Sequence, residues 1–217
     1  MIHIYYSYLS EEHHKNLIEK FSTKFSVDFQ EKIKRFRRWQ DAQLSLLGRV
    51  LLFNGISEIY GNDCHFNEIK YTKYNKPYFE GSPIKFSISH SGEIVVCALS
   101  NEHEIGIDIE EILDIEIADF KSQMTESEWN KIAFSNNKKD SFFDYWTQKE
   151  SVIKAHGSGL STPLKSFEII DDTTKIAGET FFLHKIDIDE QYKCFISLNL
   201  NIKDFSVKKQ HIFNLQL

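Results

Sequence analysis

The sequence is poor in the residues that punctuate or cross-link a chain. Three prolines and nine glycines in 217 residues leave little material for linkers. The three cysteines, Cys64, Cys97 and Cys194, are odd in number, far apart and without metal-ligand spacing. That excludes a disulfide framework or a zinc site and makes them small buried apolar side chains. Positive charge is not in excess: the formal net charge is −6, the wrong sign for a general grip on nucleic acid. No apolar run reaches membrane length, and Met1-Ile-His-Ile-Tyr-Tyr has neither a basic n-region nor a long apolar stretch, so a cytoplasmic protein without a membrane partner is expected. What is plentiful is phenylalanine, with 18 copies, in a chain 41% hydrophobic and 27% charged. This is the composition of a globular protein, enough for one large domain or two small ones.

Periodicity assigns the elements. Residues 2–8 alternate loosely and are rich in aromatic and β-branched side chains, as in a strand. A short helix opens at Ser10 as N-cap and runs to about residue 21. The basic stretch 30–39 follows, then a long apolar helical face over 41–60 that stops near Gly61. Residues 69–79 end in a loop. Strand-like runs cover 84–89, 93–99 and 104–109, with Ser89-His90-Ser91-Gly92 as a tight polar connection between the first two. Helices over 126–134 and 140–156 come next, then strands over 166–170, 180–186, 193–198 and 205–212. Helix-then-strands thus occurs twice, with the break in 100–104. The expected fold is α+β: two similar α/β lobes, 1–102 and 103–217, in a pseudo-twofold arrangement with the ligand in the cleft between them.

On the 140–156 helix, Trp146, Lys149, Glu150, Ile153, Lys154 and Gly157 recur at helical spacing along one face. A solvated i, i+4 pair of Glu150 with Lys154, worth a few tenths of a kcal/mol, accounts for part of it. A second cluster changes the balance. Ile105-Gly-Ile-Asp-Ile-Glu110 alternates with the period of a strand, so Asp108 and Glu110 point to one side. Two such carboxylates repel unless a positive charge sits between them, and a divalent cation is the usual answer; a solvated edge strand is the alternative. With Glu150 as a third oxygen ligand and Lys149 and Lys154 nearby, the set describes a Mg²⁺ site that holds phosphate. The basic run Lys32, Lys34, Arg35, Arg37 and Arg38 is either a solvated helix face or a contact for a phosphorylated ligand. His90 is either a structural hydrogen-bonder in its turn or part of the site.

Three blocks, in order, resemble the 4′-phosphopantetheinyl transferases, specifically the monomeric two-lobed type that activates peptide synthetases. They are Asn75-Lys-Pro77 followed by Phe86-Ser-Ile-Ser-His-Ser-Gly92, then Gly106-Ile-Asp-Ile-Glu110, then Trp146-x-x-Lys-Glu-Ser-x-x-Lys-x-x-Gly-x-Gly-Leu160. The similarity extends over about residues 29–170. It implies transfer of the phosphopantetheine arm from coenzyme A to a carrier-protein serine, releasing 3′,5′-ADP, by a monomer with no nucleic-acid partner. It implies Asp108, Glu110 and Glu150 as Mg²⁺ ligands, Lys149 and Lys154 beside the phosphates, and Glu150 or another carboxylate as the base. It sets Lys76, Pro77 and the Ser89-His90 turn against coenzyme A, His90 reaching the 3′-phosphate, and puts Glu128 near the metal. Two positions depart from the pattern: Asn75 replaces a glycine, and Leu44 an arginine whose phosphate contact Lys32, Lys34 or Arg49 would take over. The last forty-odd residues carry no motif. A metal-dependent nuclease and a carrier- or coenzyme A-binding homologue without turnover are the competing readings. The nuclease is weakened by the acidic charge and by a lysine on a later helix; the binder by the complete set of acids and lysines.

Overall fold

Over residues 1–61 and 69–211, which the computed structural model describes, the chain builds two layered lobes. The first contains β1 (Ile2–Tyr8), α1 (His14–Phe21), α2 (Val27–Arg35), α3 (Trp39–Tyr60), a short hairpin of β2 (Ile69–Tyr71) and β3 (Pro77–Phe79), and a longer hairpin of β4 (Lys85–Ser91) and β5 (Ile94–Ser100). The second contains β6 (Ile105–Glu111), α4 (Glu126–Phe134), α5 (Lys138–His156), β7 (Thr173–Ile176), β8 (Glu179–Lys185) and β9 (Tyr192–Leu198). The last strand, β10 (Phe205–Lys209), returns to the first lobe. The main sheets are ordered β10-β1-β5-β4 and β6-β9-β8-β7. Among the described residues only β1 and β10 pair in parallel, with Ile2 opposite Phe205. A division at 102/103 therefore omits one strand of the first sheet.

The layers follow from where the apolar side chains point. Every residue of β5 is buried. Val95, Cys97 and Leu99 pack with α1, α2 and α3, whereas Ile94, Val96 and Ala98 pack with the opposite sheet. The facing strands contribute Ile105, Ile107, Ile109, Cys194, Ile196 and Leu198 to that shared core. The result is helices, sheet, sheet, helix, with a long helix covering each sheet. Phenylalanine fills the helix–sheet gaps: Phe25, Phe29, Phe53, Phe79 and Phe86 form a chain of ring contacts in the first lobe. Cys97 and Cys194 are free and buried; Cys64 and Ile212 lie outside the described residues. No helix among the described residues is long and apolar enough to cross a membrane.

Many local expectations hold, but residues 69–79 end in strand β3 rather than a loop, and β7 is a strand that the periodicity does not reveal. Helix α4 starts on a capping box between Thr125 and Glu128, and α5 ends at Gly157. Ser10 caps nothing. Helix α1 begins at His14, because the Ser10 backbone is held instead by Gln43, whose side-chain amide pairs with its N–H and C=O at 2.7 and 2.9 Å. Residues 166–170 are not a strand. The stretch begins with a 3₁₀ turn (Leu164–Ser166) and ends in the single bridge Ile170–Thr173, its backbone taken up by Glu128 at Ile169 N and by Thr174 at Glu168 O.

The contact that positions the site is α5 on β6. Gly106 faces the helix, and a Cβ there would lie 2.1 Å from Ser151 O and 2.3 Å from Ala155 N. Only a residue without a side chain lets the two backbones approach this closely. Both Asp108 and Glu110, two and four residues along the same face of β6, are brought under α5 as a result. Gly106→Ala is expected to lower stability by about 1–3 kcal/mol or more, since backbone has no rotamer by which to yield. Chemical denaturation measures the loss, and a wild-type midpoint in the variant would show that α5 does not rest on this glycine.

Candidate active site

Strand β4 runs along β6 without a shared backbone ladder, and its alternate side chains make the join. Lys85 pairs with Glu104 at 2.9 Å. Ser87 Oγ accepts from Ile107 N at 3.0 Å, and Ser89 Oγ donates to Asp108 Oδ1 at 2.8 Å. Ser91 Oγ donates to Glu110 Oε2 at 2.9 Å and accepts from Glu111 N at 3.1 Å. Just beyond the strand, Glu93 N donates to the Tyr192 hydroxyl at 3.0 Å. The hairpin tip that allows this is Gly92, whose φ of 51° supplies the positive angle a two-residue primed turn needs. The expected turn at 89–92 is thus shorter: Ser89, His90 and Ser91 are strand residues pointing alternately in, out and in.

Three acids meet across this seam. Asp108 is 3% exposed and its Oδ1 receives both Ser89 and Lys154 Nζ, the latter at 2.6 Å. Lys154 also donates to Ser89 at 2.7 Å. Glu110 is gripped on both oxygens, by Ser91 and by Trp146 Nε1 at 3.3 Å. Glu150 projects from α5 beside Lys154. Burial, reinforced by Asp108, raises the pKa of Glu110 against the hydrogen bonds of Ser91 and Trp146. Burial and the charges of Asp108 and Glu110 push Glu150 up to about 7, with Lys154 pulling the other way. Among the described residues no three acidic, histidine or cysteine side chains already enclose a metal position; the cation in contact with the acids is the Lys154 ammonium. The donor set nevertheless fits a hard cation. Three mutually repelling carboxylates supply only oxygen, and Asp108 Oδ2 is buried with no hydrogen-bond partner.

The cleft opens from these groups as a cavity of about 290 Å³ lined by Tyr74, Asn75, Lys76, Pro77, Phe86, Ile88, Glu150, Ile153, Lys154 and glycines 157 and 159. Asn75 stands at φ 63°, a left-handed conformation that asparagine tolerates better than most residues in a glycine's place. Lys76 reaches the cleft, but its ammonium is engaged by Glu104 at 2.6 Å and by Ala155 O at 2.7 Å. That ties the first lobe to the C-terminal turn of α5, where a cation is favoured. His90 is exposed, and burial of its surroundings together with nearby Lys154 and Lys32 lowers its pKa, with Asp41 opposing. Lys32 is therefore within electrostatic reach of His90. Lys34 pairs with Glu31 on the surface, Arg49 lies over the Phe29 ring and bonds Tyr71, and Leu44 is buried in the first lobe's core.

Two expected site residues lie elsewhere. Lys149 is fully buried, paired with Glu128 at 2.9 Å and donating to the carbonyls of Leu164 and Phe167. Glu128, also fully buried, serves Thr125 N, Ile169 N and this lysine. Burial lowers the Lys149 pKa and Glu128 opposes the drop. Their expected roles beside phosphate and metal are corrected to an anchor between α4, α5 and the 164–167 turn. Sequence reading passed over Ser87, Ser91 and Tyr192, although Lys85-x-Ser-x-Ser-x-Ser-x-Glu93 carries a period-two signal along one strand face.

Comparison with known proteins agrees with this geometry. Residues 104–208 match the family model described as the 4′-phosphopantetheinyl transferase superfamily. Residues 14–102 match that of the 4′-phosphopantetheinyl transferase N-terminal region. The chain is 32% identical to 4′-phosphopantetheinyl transferase gsp of Aneurinibacillus migulanus, over 99% of this chain and 94% of that protein. It is 36% identical to 4′-phosphopantetheinyl transferase Sfp of Bacillus subtilis (strain 168), over 70% of this chain and 68% of that protein. It is 35% identical to a further 4′-phosphopantetheinyl transferase of Bacillus subtilis, over 77% and 79%. With two helix-covered sheets and an acid cluster at their seam, the chain belongs to the 4′-phosphopantetheinyl transferase superfamily and is of the Sfp type.

Proposed function

We propose that the protein transfers the 4′-phosphopantetheine group of coenzyme A to a serine hydroxyl of an acyl or peptidyl carrier protein, with Mg²⁺, releasing 3′,5′-ADP. The observation that carries this is the meeting of Asp108, Glu110, Glu150 and Lys154 at the wall of an inter-lobe cleft in a chain of this family. The same reading makes it a cytoplasmic monomer that uses neither nucleic acid nor a membrane.

Asp108, Glu110 and Glu150 would hold Mg²⁺, which when bound supplies neutralisation of the diphosphate charge. The chain's own residues do the rest. Lys154 turns from Asp108 toward phosphate oxygens and stabilises charge that grows on the leaving group. Glu150, the acid of the cluster that projects from α5 beside Lys154, takes the serine proton. The serine oxygen bonds to the phosphorus that carries the pantetheine arm, and the bridging oxygen departs with 3′,5′-ADP. His90 and Lys32 face the 3′-phosphate, while Pro77 and the Lys76 stem wall the cleft.

Incubation with coenzyme A, Mg²⁺ and a panel of purified carriers tests the reading by mass. A carrier should gain the phosphopantetheine mass only with Mg²⁺ present; plasmid nicking without any carrier modification would favour the nuclease instead. The two lysines of α5 should separate cleanly. With Mg²⁺ present to neutralise Asp108, Lys154→Ala is expected to keep the fold and lose about a hundredfold in kcat/KM, as when a group stabilising transition-state charge is removed. Lys149→Ala should lose about 3–5 kcal/mol of stability, because Glu128 is left buried and unpaired. Equal loss of activity at unchanged stability in both would contradict this assignment.

The acid cluster also predicts a pH dependence. The folded-state pKa of Glu150, about 7, lies above its ordinary 4.5, so the native state binds the proton more tightly than the unfolded state. In chelator, stability should therefore fall as pH rises between those two values, and Glu150→Gln should flatten the decline. Melting temperatures across that range measure it, and a variant that declines as steeply as the wild type would remove Glu150 as the cause.

A further inference from the structure

Most of the seam between β4 and β6 serves only to join the lobes, but Ser91 does something more. Its hydroxyl accepts from the β6 backbone at Glu111 N, 3.1 Å away, and donates a hydrogen bond to Glu110 Oε2 at 2.9 Å. Because one lone pair is occupied by the backbone N–H, the hydroxyl rotor is fixed with its hydrogen toward the carboxylate. From the opposite side, Trp146 Nε1 holds Glu110 Oε1 at 3.3 Å. Trp146 is itself kept in place by Phe120 and Phe142, at ring-centroid distances of 5.3 and 5.9 Å. Glu110 thus hangs between a first-lobe hydroxyl and a second-lobe indole.

We propose that Ser91 is a positioning residue for Glu110: it fixes the rotamer of that carboxylate, so that the acid pair on β6 reaches its working arrangement only when the β4 hairpin is docked against it. This rests on the reading of Glu110 as a Mg²⁺ ligand. Ser89 plays the parallel part toward Asp108, but it also contacts Lys154, so Ser91 is the member of the seam whose effect on a carboxylate can be separated from the phosphate-binding lysine. Tyr192 provides the comparison. Its hydroxyl joins the same hairpin at Glu93 N and touches no carboxylate of the site.

The experiment is a Mg²⁺ titration of Ser91→Ala, Ser91→Thr and Tyr192→Phe in the presence of coenzyme A, read both by melting temperature and by the rate of carrier modification. Loss of a partner that orients a ligand typically weakens metal affinity about 10–100-fold, so Ser91→Ala should shift the half-saturating Mg²⁺ upward by that order in both readouts. Ser91→Thr, which keeps the hydroxyl, should restore it, and Tyr192→Phe should loosen the seam without moving it. If Ser91→Ala does not fold, Ser91→Cys, of similar size but a weak donor, carries the same expectation. A Ser91→Ala variant, or Ser91→Cys in its place, with the wild-type Mg²⁺ response, or a Tyr192→Phe shift as large as that of Ser91→Ala, overturns the proposal while leaving the metal reading intact. A wild-type protein whose melting and activity both ignore Mg²⁺ overturns the metal reading and the proposal together.

Discussion

Three carboxylates gathered beside one cleft repel one another, and the protein holds them there by stacking two backbones almost in contact. Helix α5 lies on β6 at Gly106 with no side chain between them. That single close approach sets how far Glu150 and Lys154 stand from Asp108, and pairing with β9 holds the strand that carries two acids on one face. The strain of like charges is then relieved locally. Lys154 sits against Asp108, Ser91 and Trp146 hold Glu110, and Glu150 carries the raised pKa. A site arranged this way has unsatisfied demand for positive charge, which the proposed function assigns to Mg²⁺.

Helix α5 illustrates how one apolar-to-polar stripe can serve two purposes. Positions 149 and 154 are five residues apart, roughly 140° around the helix axis, so a face broad enough to include both has two edges. One edge enters the core, where Lys149 is surrounded by Glu128 and two carbonyls. The other borders the cleft, where Lys154 is partly open to solvent. Equal chemistry at the two positions conceals opposite environments.

This is why part of the site was legible in sequence and part was not. The alternation Ile107-Asp108-Ile109-Glu110 fixes a strand with both acids on one side, and the structure has that strand. Uninterrupted helical spacing through 140–156 likewise locates α5 within two residues at its start. Both signals are local, so both survive. The fate of Lys149 depends on Glu128 and on the 164–167 turn, partners brought by the chain's path and invisible to any periodicity. Residues 166–170 are rich enough in apolar side chains to read as a strand, yet two side chains, Glu128 and Thr174, occupy the backbone groups a ladder would need. The end of the serine run on β4 suggests a turn from sequence, because the Ser89-His90-Ser91-Gly92 segment ends in the glycine that does form one.

The return of β10 to the edge of β1 has its own consequence. The first sheet is completed by β10, which follows every strand of the second sheet in the chain and lies parallel to β1. During translation β1 therefore presents an unfilled edge while both lobes emerge, and the molecule's slowest folding event is expected to be this long-range closure rather than the local hairpins and helices. Once made, the closure ties the chain that leaves β9 back to the edge of β1, so unfolding of the two lobes is expected to be coupled through this strap.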